Sequence, residues 1–229
     1  MLTLTIDTSG LVGSLGLYHG QTRLEDRRLE LGQRHGQTLI PEIHSLLERH
    51  QLRPQDVELL AVSVGPGSFT GLRVGIVCAK TWAYATGCKL AAIGTLEAVA
   101  AGTTVTGNRL HVIADAQRGD VFLQEFTAES NRWKTDGPIR IVPVAEWSPT
   151  LTGVLVSGPG IEKFGKELSQ AQLAPDSTWH PQGVALAQLA TEHAAQGKFA
   201  DMWTLEPIYL RRSSAEDKWD LRKAAARQK

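Results

Sequence analysis

The stretch Gly65–Gly75, GPGSFTGLRVG, limits what this chain can fold into more than any other. An apolar run, Leu59-Leu60-Ala61-Val62-Ser63-Val64, leads into it, and a long segment rich in small residues, Leu72 to Thr86, follows. The run has strand length and stops at Gly-Pro-Gly, so strand, glycine turn, helix is the simplest reading. Three glycines in so short a turn call for positive φ angles or for the close approach of another backbone or a ligand.

The turn fails the common nucleotide-loop templates. A P-loop needs G-x-x-x-x-G-K-[ST], but Gly71 is followed by Leu72-Arg73. A dinucleotide fingerprint needs G-x-G-x-x-G and an acid closing the next strand. Here Gly71 comes one residue late after Gly65-Pro66-Gly67, and the next strand closes on Ile93-Gly94. A nucleophile elbow needs G-x-S-x-G, and Ser68 is preceded by Pro66-Gly67. Backbone N–H groups at the helix start could still hold an anion. The alternative is a turn in which Gly65, Pro66, Gly67, Ser68 and Thr70 let strand and helix pack closely. Behind it, Gly71, Gly75, Ala79 and Ala83 recur every four residues and so share one helix face. A face without side-chain relief admits another backbone, either inside the molecule or across a tight seam edged by Val74, Val77 and Trp82.

Taken in order, the chain opens with the alternating strand Leu2–Ile6, which ends in Asp7-Thr8-Ser9-Gly10. A β-like stretch, Val12 to Tyr18, turns at His19-Gly20-Gln21 and pairs back through Thr22–Leu31. From Gln37 to His50 the period becomes helical, with Leu39, Ile43, Leu46 and Leu47 on one face and Pro41 near the N-terminal turn. Lys89–Ile93 reads as a strand and Thr95 as the N-cap of the next helix. The order is β-β-β-α-β-α. The second half begins alike, with Leu110–Asp115, Asp120–Phe126, Ile139–Val144 and Val154–Val156, then Ser157-Gly158-Pro159-Gly160 and a helix over Val184–Gln196. This is an architectural repeat with no residue-level repeat. It divides the chain into lobes at 1–105 and 106–210 and a basic tail at 211–229.

The tail carries seven Lys or Arg against three acids, which leaves seventeen basic and twenty-one acidic residues in the body. The tail reads as a solvated C-terminus or as a basic arm for RNA phosphates or an acidic partner. The whole chain balances 24 Lys+Arg against 24 Asp+Glu, so no global field draws it to nucleic acid or an anionic membrane. Its start lacks a basic n-region and a long apolar core, and no apolar run approaches spanning length, so a cytoplasmic location is expected. Two cysteines, Cys78 and Cys88, make no disulfide framework. None of the seven histidines forms an H-x-x-x-H pair, and no anchor for a Ser–His–Asp triad is visible. Asp7 and Asp115 each end a strand, where a carboxylate either forms the turn or holds a metal–phosphate complex.

Gly65–Gly75 also resembles the signature of the TsaB (YeaZ) family, a bacterial subunit of the tRNA threonylcarbamoyladenosine machinery. Further likenesses run along the chain in family order. They are Leu4-Thr5-Ile6-Asp7-Thr8-Ser9, His35 with Leu39-Ile40-Pro41, Asp115-Ala116-Gln117-Arg118-Gly119-Asp120-Val121, Gly158-Pro159-Gly160 and Pro207-Ile208-Tyr209-Leu210-Arg211. The resemblance implies an α/β fold of the actin-like, hexokinase-like ATPase type, built from two β-β-β-α-β-α lobes. It implies a non-enzyme, a subunit that activates a catalytic paralogue, TsaD, which places a threonylcarbamoyl group on adenosine next to the anticodon. The paralogue carries an H-x-x-x-H metal motif; here Leu39 stands where the second His would follow His35. The resemblance places the partner interface on the first two long helices, at His35, Leu39, Ile43, Gly71, Val74, Gly75, Ala79, Trp82 and Ala83. It implies a TsaE-like ATPase at the edge of that pair and indirect contact with tRNA. A homodimer is expected when the chain is alone, since partner-facing helices with small faces often self-associate when the partner is missing. No cofactor is expected to bind tightly, with ATP or ADP acting at the level of the complex. A weak nucleotide site at Asp7, Thr8, Asp115, Gly158 and Gly160 stays open, although Pro159 and Gln117 depart from the family pattern. The alternative is a Mg–ATP-dependent small-molecule kinase or ATPase using Asp7 and Asp115.

Overall fold

The structure, a computed structural model, describes residues 1–30 and 35–211, apart from the side chains of Glu30 and His35. Beyond Arg211, the basic tail expected at 211–229 lies outside the described residues.

The first half runs β1 (Leu2–Asp7), β2 (Val12–His19), β3 (Thr22–Glu30), α1 (His35–Arg49), β4 (Leu59–Ser63), α2 (Phe69–Thr86), β5 (Lys89–Ile93) and α3 (Thr95–Gly102). Its five strands lie in the order β3-β2-β1-β4-β5. β2 is antiparallel to β1, pairing Leu17 with Leu4, whereas β4 is parallel to β1, pairing Leu60 with Leu4. Period 2 sorts the side chains of β1. Leu2, Leu4 and Ile6 meet Leu39, Ile43, Leu46 and Leu47 of α1 and Ile76, Ala79 and Ala83 of α2 in one apolar cluster. Thr3, Thr5 and Asp7 face the other side and are fully buried.

The second half runs β6 (Arg109–Asp115), β7 (Asp120–Glu129), β8 (Arg132–Thr135), β9 (Arg140–Pro143), α4 (Val144–Trp147), β10 (Leu155–Ser157), α5 (Ile161–Phe164), β11 (Gln172–Leu173) and α6 (Gly183–Ala195). The sheet order β11-β10-β6-β7-β8, with β9 also on β7, repeats the pattern of the first sheet. In each, the first strand has an antiparallel hairpin partner and a parallel partner on its other edge. This is the actin-like arrangement of two related lobes. In the second lobe the helices that would match α1 and α2 shrink to the single turns α4 and α5.

Local details differ from the sequence reading. α1 begins at His35, so Pro41 lies inside the helix, where its missing N–H removes the bond to the carbonyl four residues back. Gly94, not Thr95, caps α3, and the Thr95 N–H instead donates to the Gly65 carbonyl at 2.9 Å. The strand β8 has no counterpart among the strands expected from sequence. The larger difference concerns α6. Its Leu186 and Ala190 pack on Leu59, Ala61, Ala91 and Ile93 of the first sheet. The chain after it also returns there. Ala200 N–H bonds to Leu90 O at 2.8 Å, and Leu205 joins the first lobe's core. Residues 183–210, counted with the second lobe from sequence, thus cover the first sheet, because that sheet's second apolar face needs a lid that α3 alone is too short to supply. Leu186→Ala is therefore expected to cost about 2–5 kcal/mol. A thermal melt with hydrogen exchange should show protection lost first in β4 and β5; loss confined to the second lobe would contradict this placement.

Candidate functional site

Asp7 ends β1 beside the ends of β4 and β5, where ligands collect in open α/β sheets. The carboxylate is wholly buried. Its Oδ1 accepts from the Ser63 hydroxyl and, at 3.1 Å, from the Ser9 N–H, while Oδ2 has no hydrogen-bond partner. Desolvation drives its pKa above the ordinary value of 3.8, against smaller opposing effects of Ser63, Ser9 and His180. Asp115, at the corresponding end of β6, is exposed. It accepts from Lys163 Nζ at 2.8 Å and from the Gln117 N–H at 2.8 Å.

The other residues named for a nucleotide site are also engaged. The Thr8 hydroxyl donates to the Gly71 carbonyl at 2.7 Å. Gly158 has φ +112°, and a Cβ there or at Gly160 would press on Ile113 of β6. These two glycines let the turn after β10 sit close on the neighbouring strand β6. Two amides of the Gly65–Gly71 turn are likewise engaged. Ser68 N–H donates to Ser9 O at 2.7 Å, and Ser68 Oγ caps α2 by accepting from Gly71 N–H at 3.2 Å. A Mg–nucleotide needs free amides and an accessible carboxylate; of the two strand-end acids, Asp7 is buried and Asp115 is exposed but paired with Lys163.

The small-residue face of α2 resolves into an internal contact. Gly71, Gly75, Ala79 and Ala83 are buried. A Cβ at Gly71 would lie under 3.0 Å from Thr8 O, one at Gly67 under 3.0 Å from Ser9 O, and one at Gly75 under 3.0 Å from Thr8 Oγ1. The glycines bring α2 onto the β1–β2 turn of the same chain, so the seam expected on Gly71, Gly75, Ala79 and Ala83 is not a surface. Leu39 and Ile43, each 1% exposed, also point into the core, since the apolar stripe of α1 is the stripe that covers the sheet. The side chain of His35 lies outside the described residues.

A different face of the same two helices is open. Between α1 and α2 runs an apolar groove of about 580 Å³, walled by Leu39, Ile40, Val74, Val77, Thr81, Trp82 and Ala85, with Arg73 at its rim. Ile40 is 54% and Val77 61% exposed. Tyr84, a further two turns along α2 from Val77, stands out into solvent against Trp203, edge to face at 6.0 Å. Of the interface residues expected from the resemblance, Val74, Trp82 and the edge of Leu39 line this groove. Val77, expected with Val74 and Trp82 at the edge of a seam, lines it too, whereas Thr81, Tyr84 and Ala85 were not expected there. Their signal was the outward phase of α2, in which Arg73, Val77, Thr81 and Tyr84 follow at spacings of four, four and three.

Neither cysteine is in a disulfide, and burial pushes the Cys78 thiol up to about 11, away from the reactive thiolate. Among the described residues no group of three or more His, Cys, Asp or Glu could hold a metal ion, and no helix is long and apolar enough to cross a membrane.

Two actin-like lobes, with strand-end carboxylates engaged by their own chain and an open apolar groove on the first pair of long helices, define a two-lobe α/β protein. Comparison with known proteins carries this further. Residues 30–135 match the family described as TsaD: tRNA N6-adenosine threonylcarbamoyltransferase. The tRNA threonylcarbamoyladenosine biosynthesis protein TsaB of Escherichia coli is 30% identical over 226 residues, which cover 94% of this chain and 96% of that one. TsaB of Bacillus subtilis is 29% identical over 228 residues, with 96% and 98% covered. YeaZ from Pseudomonas aeruginosa superposes with a TM-score of 0.76 at 23% identity, covering 91% of this chain and 99% of that one. The chain belongs to the TsaB family.

Proposed function

We propose that this chain is a non-catalytic subunit in the biosynthesis of tRNA threonylcarbamoyladenosine, acting by docking a TsaD-like catalytic paralogue into the α1–α2 groove. Family membership supplies the pathway, and the exposed apolar groove is the observation that carries the docking. Aliphatic walls with an Arg at the rim and a Tyr–Trp pair beside them have the makeup of an interface centre. Asp7 and Asp115, the carboxylates an ATPase of this fold would use, are engaged within the chain, which favours a supporting role over chemistry of its own. A TsaE-like ATPase joins at the edge of the pair, tRNA is met through the complex, and alone the groove closes on a second copy.

Val77→Glu tests the reading. Val77 is 61% exposed, so the variant should melt within about 1 °C of the parent, as surface substitutions do. In a complex its carboxylate would be buried unpaired, at about 3–5 kcal/mol, a weakening of more than about a hundredfold. Co-elution with the TsaD-like partner on a sizing column is expected for the parent and lost for the variant. In a reconstituted modification assay, omitting the chain should abolish activity. Normal assembly by Val77→Glu, or full modification without the chain, would overturn the proposal.

A further inference from the structure

The closing segment bonds to both lobes within a few residues. Ile208 N–H donates to Val64 O at 2.7 Å, on the edge of the Gly65 turn. The next residue, Tyr209, stacks on Phe69 at 4.8 Å between ring centroids and accepts at its hydroxyl from Arg73 Nε at 2.9 Å. The Arg73 guanidinium lies 4.0 Å from the centre of the Phe69 ring, so the three side chains form one stack at the start of α2. Two residues on, Arg211 reaches the second lobe. Its Nη1 donates to Ala116 O at 2.6 Å and to Gln117 O at 3.1 Å, and its Nη2 to the Asp120 carboxylate. Three residues of chain span at most about 11 Å, so the link from Val64 to the β6–β7 turn is short.

The turn that Arg211 holds is strained. Gln117 and Arg118 have φ of +64° and +58°, followed by Gly119 at +87°. Two successive non-glycine residues in the left-handed region are unfavourable and persist only where their surroundings over-determine them. Here Asp115 Oδ1 accepts from the Gln117 N–H, and the Arg211 fork caps the Ala116 and Gln117 carbonyls from the far end of the chain.

We propose that Leu205–Arg211 is an inter-lobe latch, in which Arg211 holds the β6–β7 turn in its strained form and, through Tyr209 and Arg73, fixes the rim of the α1–α2 groove. Releasing Arg211 lets the turn leave the left-handed region and frees the Tyr209–Arg73–Phe69 stack, so the angle between the lobes and the shape of the groove change together. The latch rests on these contacts alone and stands whether or not the groove takes the partner proposed above.

Hydrogen exchange on the full chain, parent against Arg211→Ala, reads the latch directly. Amides at 116–120 and at 64–75 should both exchange at least about tenfold faster, with β1, β2 and α6 unchanged. Asp120→Asn keeps the backbone and weakens only the Arg211 contact, so it should give the same pattern at smaller amplitude. Faster exchange confined to 116–120 in both variants would reduce Arg211 to a local clip and overturn the coupling. No change in either segment would overturn the latch itself.

Discussion

Gly71→Ala is expected to lower the melting temperature by about 6–12 °C, the equivalent of about 3 kcal/mol for a chain of this size. The added Cβ would lie under 3.0 Å from Thr8 O, a backbone atom that no rotamer change can move. Relief requires α2 to back away from the β1–β2 turn, and that motion breaks two bonds together: Thr8 Oγ1 to Gly71 O at 2.7 Å, and Ser68 N–H to Ser9 O at 2.7 Å. Overpacking alone costs about 1–3 kcal/mol, and the bonds bring the total to the upper end or beyond. Gly75→Ala should be milder, because its added methyl meets the Thr8 hydroxyl, which can turn. The order parent, Gly75→Ala, Gly71→Ala in descending stability is checked by thermal and urea melts. A Gly71→Ala protein as stable as the parent would mean that the helix does not rest on the turn. A bulky residue at Gly75 accordingly probes folding, while Val77 is the position that probes partner binding.

The two glycine-rich features show what the sequence could and could not convey. The strand–turn–helix reading of 59–86 was legible because Val-rich length, Gly-Pro-Gly and helical periodicity are local signals, and α2 duly starts at Phe69 and ends against Gly87 in the left-handed conformation. That Gly71, Gly75, Ala79 and Ala83 admit a close backbone was legible too. Which backbone it would be was not, since the answer lies some sixty residues away at Thr8 and Ser9, and a bare face is the same whether it meets its own chain or another. Leu39 and Ile43 carry the same lesson from the other side. An apolar stripe announces burial, and the first surface available to bury it is the chain's own sheet. The groove was only partly legible: Val74, Val77 and Trp82 could be read as the edge of a seam, but Ile40 stands out of phase with the stripe of α1 and joins them only once both helices are packed. The placement of α6 on the first sheet was likewise non-local. Its start at Gly183 could be read, but not the fact that the first sheet lacked a cover on that side.

Asp7→Asn is expected to stabilise the protein at neutral and alkaline pH. Asp7 is buried, and desolvation raises its pKa against the weaker pull of Ser63, Ser9 and His180. An acid whose folded pKa exceeds its unfolded one contributes stability in full below the unfolded value, near 3.8, and loses it as the pH rises through the folded value. Asparagine has no proton to lose. It keeps an acceptor where Oδ1 takes the Ser63 hydroxyl and the Ser9 N–H, and it places an uncharged amide where Oδ2 stands without a partner. The difference in melting temperature, variant minus parent, should therefore be small near pH 4, grow with pH and level off above the folded pKa. The plateau should be on the order of 1–3 kcal/mol, the extra cost of holding the ionised rather than the neutral group out of water, or roughly 2–12 °C. Differential scanning calorimetry from pH 4 to pH 9 checks this, and a difference that stays constant across the range would show that the carboxylate is solvated after all. A rising difference would mean that the strand-end acid is kept at a cost in stability. Against the proposal that this chain has no chemistry of its own, that cost sharpens the next measurement: ATP turnover by the isolated parent, compared with Asp7→Asn, should be absent from both.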